Sequence, residues 1–205
     1  LTEFDGKKLQ SITKENLKFG DEEDSDKKRD ELYTENFKGL TEWMKGIYGD
    51  KVEKIAVSNR VVDTPCLLVT SQYGYSANME RIMQSQAFAD NKRTSYLVSK
   101  KTMEINPRHP IMIELKKRAE ESPDNDDTKD LALLIYDTAL LNSGFQMEDA
   151  TGFASRMYKL FKAGLSLESL ELAPEIEIPD DDDVEGESDE TEEAEVIEDD
   201  EKKEL

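Results

Sequence analysis

One cysteine, one histidine and one tryptophan are all that this 205-residue chain has of those three residue types. A single thiol, Cys66, cannot form an internal disulfide, and its place inside an apolar strand marks it as buried and structural rather than reactive. Cysteine usage therefore identifies no compartment. The lone His109 has no carboxylate or cysteine cluster spaced around it, which removes zinc ligation and His-based catalysis and leaves a capping or packing role. Gly-rich phosphate loops, nucleophile elbows and zinc spacings are also missing, so no enzyme is read from the chain and no catalytic or metal residue is assigned. Basic residues are scarce, 27 Lys and Arg against 48 Asp and Glu. Without a phosphate-neutralising basic patch, nucleic acid is excluded as a partner. No apolar run approaches the ~20 residues of a membrane span, and no membrane insertion is expected.

What is abundant is acid, and it is concentrated. Residues 174–205 hold eighteen acidic and two basic side chains, −16 of the whole chain's −21, which leaves −5 on ordinary globular material before them. The tail has hardly any large apolar residues and repels itself, so it is expected to stay disordered. Its aspartate run, Asp180-Asp181-Asp182-Asp183, holds Ca²⁺ only loosely without an ordered loop. The chain starts at Leu1 with no signal-peptide pattern and is expected to be a fragment of something longer.

The organising stretch is residues 64–89. Cys66-Leu67-Leu68-Val69-Thr70 behind Pro65 has the pattern of a buried strand. After Gln72-Tyr73-Gly74-Tyr75 a helix begins with Ser76 as N-cap. Met79, Ile82, Met83 and Gln86 share one side of it, a methionine-rich face next to Tyr75. Flexible thioethers suit a contact surface that fits many partner shapes. On spacing alone, core filler is the favoured reading of both methionines.

In chain order, residues 1–20 carry scattered apolar anchors and a short strand expected at 11–13, and 21–30 read as a charged linker. Residues 32–47 read as an amphipathic helix through Leu32, Phe37, Leu40, Trp43, Met44 and Ile47, stopped by Gly49. Trp43 is expected to pack on the sheet. Residues 52–62 and 64–71 predict two antiparallel strands turned at Asp63-Thr64-Pro65, and 96–105 a third. Pro110 opens a helix over 111–121. Residues 131–141 are apolar nearly all round the next helix, with an acidic, capping-competent start at Asp126, Asp127 and Thr128 and an end at Gly144. A last helix over 149–163 places Phe153, Met157, Leu160, Phe161 and Leu165 on one face, with Gly164 as C-cap. This αα-hairpin has more apolar surface than a small sheet readily hides. Either a second copy completes an intermolecular four-helix bundle or the hairpin packs on its own domain. The fold class is thus α+β: a small sheet of about three strands with flanking helices, a C-terminal helical hairpin, then the acidic tail.

Val57-Ser58-Asn59-Arg60, Ser71-Gln72-Tyr73-Gly74, Ala77-Asn78-Met79-Glu80-Arg81-Ile82-Met83 and Glu104-Ile105-Asn106-Pro107 closely resemble the C-terminal domain of the ninety-kilodalton heat-shock chaperone family. The resemblance covers about residues 1–172. It implies that 1–24 end a preceding middle domain with its linker, that 25–172 form a dimerisation and client-contact domain, and that 173–205 are a disordered acidic tail. It decides the hairpin question for the homodimer, implying Leu131, Leu134, Ile135, Leu141, Phe153, Met157, Leu160 and Phe161 as interface. It implies that Tyr75, Met79, Ile82 and Met83 touch partly folded client proteins. ATP and Mg²⁺ would belong to an N-terminal domain outside this stretch, which itself needs no cofactor. The cytosolic Met-Glu-Glu-Val-Asp peptide that recruits tetratricopeptide-repeat co-chaperones is absent. Instead Lys202, Lys203, Glu204 and Leu205 resemble the Lys-Asp-Glu-Leu retrieval signal, departing from it at Lys203. With residues 102–110, which are similar to the reticulum branch of the family, this implies the endoplasmic reticulum lumen, with the cytoplasm as alternative. Two rival readings from other classes are a non-catalytic dimeric scaffold and an acidic calcium buffer.

Overall fold

In the computed structural model, which describes residues 3–15, 17, 24–71, 74–87 and 101–176, the first element is a small antiparallel hairpin of β1 (Glu3–Phe4) and β2 (Lys7–Lys8). Asp5 and Gly6 make its turn with φ of 50° and 71°. Two consecutive left-handed residues match the twist of the arms, and Asp-Gly adopts them readily. The strand expected at 11–13 does not form. Instead Thr13 and Glu15 exchange backbone hydrogen bonds with Thr70, at 3.1 and 3.0 Å.

α1 (Asp24–Tyr48) begins inside the stretch read as a charged linker. Opposite charges three residues apart, Asp24 with Lys27 and Asp26 with Arg29, meet at 3.2 Å. Acids in the first turn also suit the positive end of the helix dipole. A charge run without apolar residues is therefore helical here rather than extended. Phe37, Leu40, Met44 and Tyr48 form its buried stripe, which Tyr33 extends. Leu32, expected on that face, lies one position off the stripe and is 72% exposed. Trp43 packs at the margin of the core, and its indole N–H donates to the Pro123 carbonyl at 2.9 Å. It fastens α1 to the loop at 122–125.

A single 3-10 turn, Gly49–Lys51, leads to β3 (Lys54–Val57), β4 (Cys66–Thr70), α2 (Ala77–Ala87) and β5 (Lys101–Ile105). The strand order is β3-β5-β4, with β5 parallel to β3 and antiparallel to β4. The expected direct pairing of β3 with β4 is corrected by this order. The two strands do run in opposite directions, but β5 arrives from later in the chain and separates them, and residues 58–65 connect their far sides. β5 wins the centre because both its faces are covered: all five of its residues are buried. Of the strand expected over 96–105, residues 96–100 lie outside the described residues.

The two faces of the sheet differ in chemistry, as side-chain alternation requires. Ile55, Val57, Met103, Ile105, Cys66 and Leu68 share the face that joins the core under α1, α3 (Pro110–Glu121) and α4 (Asp126–Asn142). Tyr48 donates to the Ala132 carbonyl at 2.8 Å and its ring lies 5.2 Å from that of Tyr136, lacing α1 to α4. The other face carries buried polar residues, each with a partner. Thr102 donates to Glu15 at 3.2 Å, and Glu104 binds Arg60 through two hydrogen bonds at 2.5 and 2.7 Å. Glu15 in turn meets Lys54 at 2.8 Å, which holds its carboxyl below the ordinary carboxylate range.

Local chemistry sets the remaining helix ends. His109 Nδ1 accepts from the Ile111 N–H at 3.2 Å and Pro110 follows at the first helical position, so the only histidine is a cap. α4 is capped by Asn125, one residue before the acidic start singled out in the sequence, which accepts from Thr128 at 2.9 Å. Asp149 caps α5 (Ala150–Gly164), accepting from Gly152 at 2.8 Å. Gly144 closes α4 with φ 77°, and Phe145 N–H returns to the Leu140 carbonyl at 3.0 Å. At the end of α5 the left-handed residue is Ser166, φ 54°, not the expected Gly164, and Leu167 N–H returns to Lys162 at 3.0 Å.

Residues through Glu168 form one unit and those from Ser169 another. In the second unit the described residues, 169–176, hold no helix or strand, and Leu170, Leu172 and Ile176 are exposed. The acidic run and the terminal Lys202, Lys203, Glu204 and Leu205 lie outside the described residues. No helix among the described residues is long and apolar enough to cross a membrane.

Candidate functional site

α4 is apolar on more sides than its own domain covers. Ala132, Tyr136, Ala139 and Leu140 are buried against the sheet side. On its other side a groove of about 1320 Å³ opens between α3, α4 and α5. Leu131, Leu134, Ile135, Leu141 and Leu160 line it together. Five of the eight expected interface residues thus meet at one site. Phe153, Met157 and Phe161 do not line the groove: the first two are half-buried, and Phe161 is exposed on another part of α5.

α5 shows why this side is open. None of its residues is fully buried, and Tyr158, Leu160, Phe161 and, just past its end, Leu165 are exposed. Two ion pairs tie it to α4. Arg156 binds Asp137 in a buried ion pair, and Lys159 meets Asp130 at 2.5 Å, which raises the lysine pKa. An amphipathic helix with an uncovered apolar face, packed beside an apolar groove, has the anatomy of an interface rather than of a finished core.

Cys66 lies at the floor of the groove and is 3% exposed. Burial pushes its thiol pKa up to about 12 from 9.0. That leaves about a thousandfold less thiolate at neutral pH, and the thiolate is the nucleophile. The folded chain is expected to react with an aromatic disulfide reagent at least about a hundredfold more slowly than the denatured chain. Equal rates in stopped-flow labelling would mean that the strand opens freely.

The second surface is α2. Ser76 caps it, accepting from the Met79 N–H at 3.4 Å. Met79 is 45%, Ile82 43% and Tyr75 42% exposed, while Met83 is half-buried. The core-filler reading fails for Met79. The opposite side of the helix is anchored: buried Glu80 meets Lys101 at 3.4 Å, Ala77 packs against the core, and the exposed Arg81 donates to the Gly144 carbonyl at 3.2 Å. Ala77 and Glu80 face the body while Met79 and Ile82 face solvent, so an acid holds a place that an apolar residue usually takes. Spacing finds the two faces but not which one is inside.

Two of the quoted motifs meet at a smaller, polar cleft of about 650 Å³ lined by Ser58, Asn59, Arg60, Asn106, Arg108 and His109. Arg60 is the residue that sequence reasoning missed. Beyond Glu104 it donates to the carbonyls of Ile12 and Lys14, at 3.1 and 3.0 Å, so it ties the N-terminal segment to the central strand. The signal was an acid, Glu104, between Met103 and Ile105 in a strand, where a buried carboxylate requires a cation. Among the described residues no group of three His, Cys, Asp or Glu is placed to hold a metal ion. What α2 and the groove beside α4 offer is apolar contact.

A family model described as Hsp90 protein matches residues 1–204. The chain is 46% identical over 175 residues to a putative heat shock protein HSP 90-beta-3 of Homo sapiens, covering 85% of this chain and 29% of that protein. It is 46% identical over 168 residues to an endoplasmin homolog of Arabidopsis thaliana, covering 82% and 20%. A heat shock protein 83 of Leishmania donovani is 44% identical over 173 residues, covering 84% and 38%. The chain therefore spans well under half the length of these relatives.

Proposed function

This chain belongs to the Hsp90 protein family, and from that membership we propose that it is the C-terminal dimerisation and client-contact domain of an ATP-driven folding chaperone. The observation that carries the reading is the open apolar groove between α3, α4 and α5. A second copy presenting its own α5 would fill that groove and cover Leu160, completing a four-helix bundle with two-fold symmetry. Holding two protomers together raises the effective concentration of upstream ATP- and Mg²⁺-binding domains for each other, so their closure becomes intramolecular. Tyr75, Met79, Ile82 and Met83 would then present a low-specificity apolar surface to partly folded clients, which share exposed hydrophobics and little else. Residues 1–24 would continue from the middle domain, and 173–205 would serve solubility and, through Lys202, Lys203, Glu204 and Leu205, retrieval to the reticulum lumen. The endoplasmin homologs among the relatives support that location; the terminal signal carries the weight, because Hsp90 relatives match equally well.

The solution mass across a dilution series tests the dimer: twice 23.4 kDa is expected. A monomer at every concentration would remove the basis of the proposal. For the client face, the Met79→Ser, Ile82→Ser double variant is expected to bind a chemically unfolded, carboxymethylated model protein about tenfold more weakly, about 1.4 kcal/mol of lost apolar burial. Unchanged fluorescence-anisotropy titrations would exclude α2 as the contact.

A further inference from the structure

We propose that the turn between α4 and α5 and the helix α2 move as one mechanical unit, so that seating a second copy on the groove sets the pose of the α2 contact face. The inference rests on the dimer and client reading above and adds a coupling between its two surfaces.

Three residues on one side of α2 converge on that turn. Ala77 lies beside Gly144: a Cβ placed on Gly144 would lie 3.8 Å from that of Ala77. Arg81 Nη2 donates to the Gly144 carbonyl at 3.2 Å. Glu80 Oε1 lies 3.4 Å from Lys101 Nζ, and that ammonium stands 4.9 Å over the ring of Phe145. Positions 77, 80 and 81 share one side of a helix, and 79, 82 and 83 the opposite one. Any rotation of α2 imposed by the turn is therefore delivered directly to Met79, Ile82 and Met83.

The turn is equally bound to α5. Gly144 and Phe145 are the residues that close α4, and α5 restarts at the Asp149 cap and is fixed to α4 by the buried pair of Arg156 and Asp137. Among the described residues the buried side-chain polar atoms without a hydrogen-bond partner are Glu80 Oε2 and Arg156 Nε. They stand at the two ends of this path. Each is a buried ion with an unfilled hydrogen-bonding position, a cost that a changed pose of the coupled helices can relieve. Coupling of this kind is reciprocal, and occupancy of the α2 face must change dimer affinity by the same factor.

Amide hydrogen exchange on the full 205-residue chain tests this. Arg81→Met, a change on an exposed side chain, is expected to speed exchange at residues 143–146 by about fivefold, with Arg81→Lys restoring protection. Phe145→Leu should do the same to residues 81–87. Leu160→Glu, which prevents the second copy from seating, should speed exchange at 81–87 about fivefold in the otherwise unchanged chain and add nothing in Arg81→Met. Effects confined to each variant's own element overturn the inference, as does a dimer whose dissociation leaves 81–87 unaltered. A wild-type chain that is monomeric at every concentration sinks the dimer reading itself, and with it the link to a second copy, even where Arg81→Met shows that the tether exists.

Discussion

Leu160→Glu is expected to convert the proposed dimer into a folded monomer. Leu160 lines the groove yet is 43% exposed in the single chain, so a carboxylate there stays hydrated in the monomer. In the dimer it would be buried without a partner. An unpaired buried charge costs several kcal/mol, and about 3 kcal/mol already corresponds to more than a hundredfold in dissociation constant. Sedimentation velocity across a dilution series should therefore show 23.4 kDa where twice that is expected of the parent, with an unchanged circular dichroism melt of the dilute protein. Leu134→Glu is the instructive contrast. Leu134 lines the same groove but is only 9% exposed before any partner arrives. Its replacement is expected to lower the stability of the single chain as well, by about 2–5 kcal/mol. A Leu160→Glu chain that keeps the parental mass would mean that the groove is not the interface.

The largest stability effect is expected at Glu104. Its carboxylate and the Arg60 guanidinium are 7% and 9% exposed and joined by two hydrogen bonds. Replacing Glu104 by leucine leaves the guanidinium buried and uncompensated, which ordinarily costs about 3–5 kcal/mol. The loss should appear as a shifted midpoint with unchanged slope in denaturant unfolding. Adding Arg60→Met removes the stranded charge and should recover much of the loss, because a buried pair often contributes little net stability over apolar residues of similar size. It should not recover all of it, since Arg60 also holds the carbonyls of Ile12 and Lys14. The exposed pair of Lys117 and Glu121, 4.0 Å apart, sets the scale for comparison: its removal is expected to cost about 0.5 kcal/mol or less. A Glu104→Leu loss that small would mean that water reaches the site.

Elements set by local chemistry were readable from residue order. α3, α4 and α5 start within one to a few residues of their expected positions, because His109, Asn125 and Asp149 supply side-chain acceptors where orphan N–H groups need them. Gly144 ends α4 because the left-handed turn is least strained at glycine. Cys66 could be placed in a buried strand from its apolar neighbours alone. Periodicity also marked both faces of α2 and the surplus apolar surface of α4.

Tertiary structure decided the rest, wherever the cause lies far along the chain. Strand order depends on non-local hydrogen bonding, so nothing between Val57 and Cys66 announces that β5 will come between them. The partner of Glu104 lies 44 residues away. The charged run at Asp24 is helical through pairs whose contribution is only a few tenths of a kcal/mol each, too small to separate helix from linker without the packed remainder of α1. Spacing tells which residues share a face, but whether that face is inside depends on what else comes to cover it. For α2 the answer was the side of Ala77 and Glu80, since the core receives the first and Lys101, from beyond the helix, supplies the ion that the second needs.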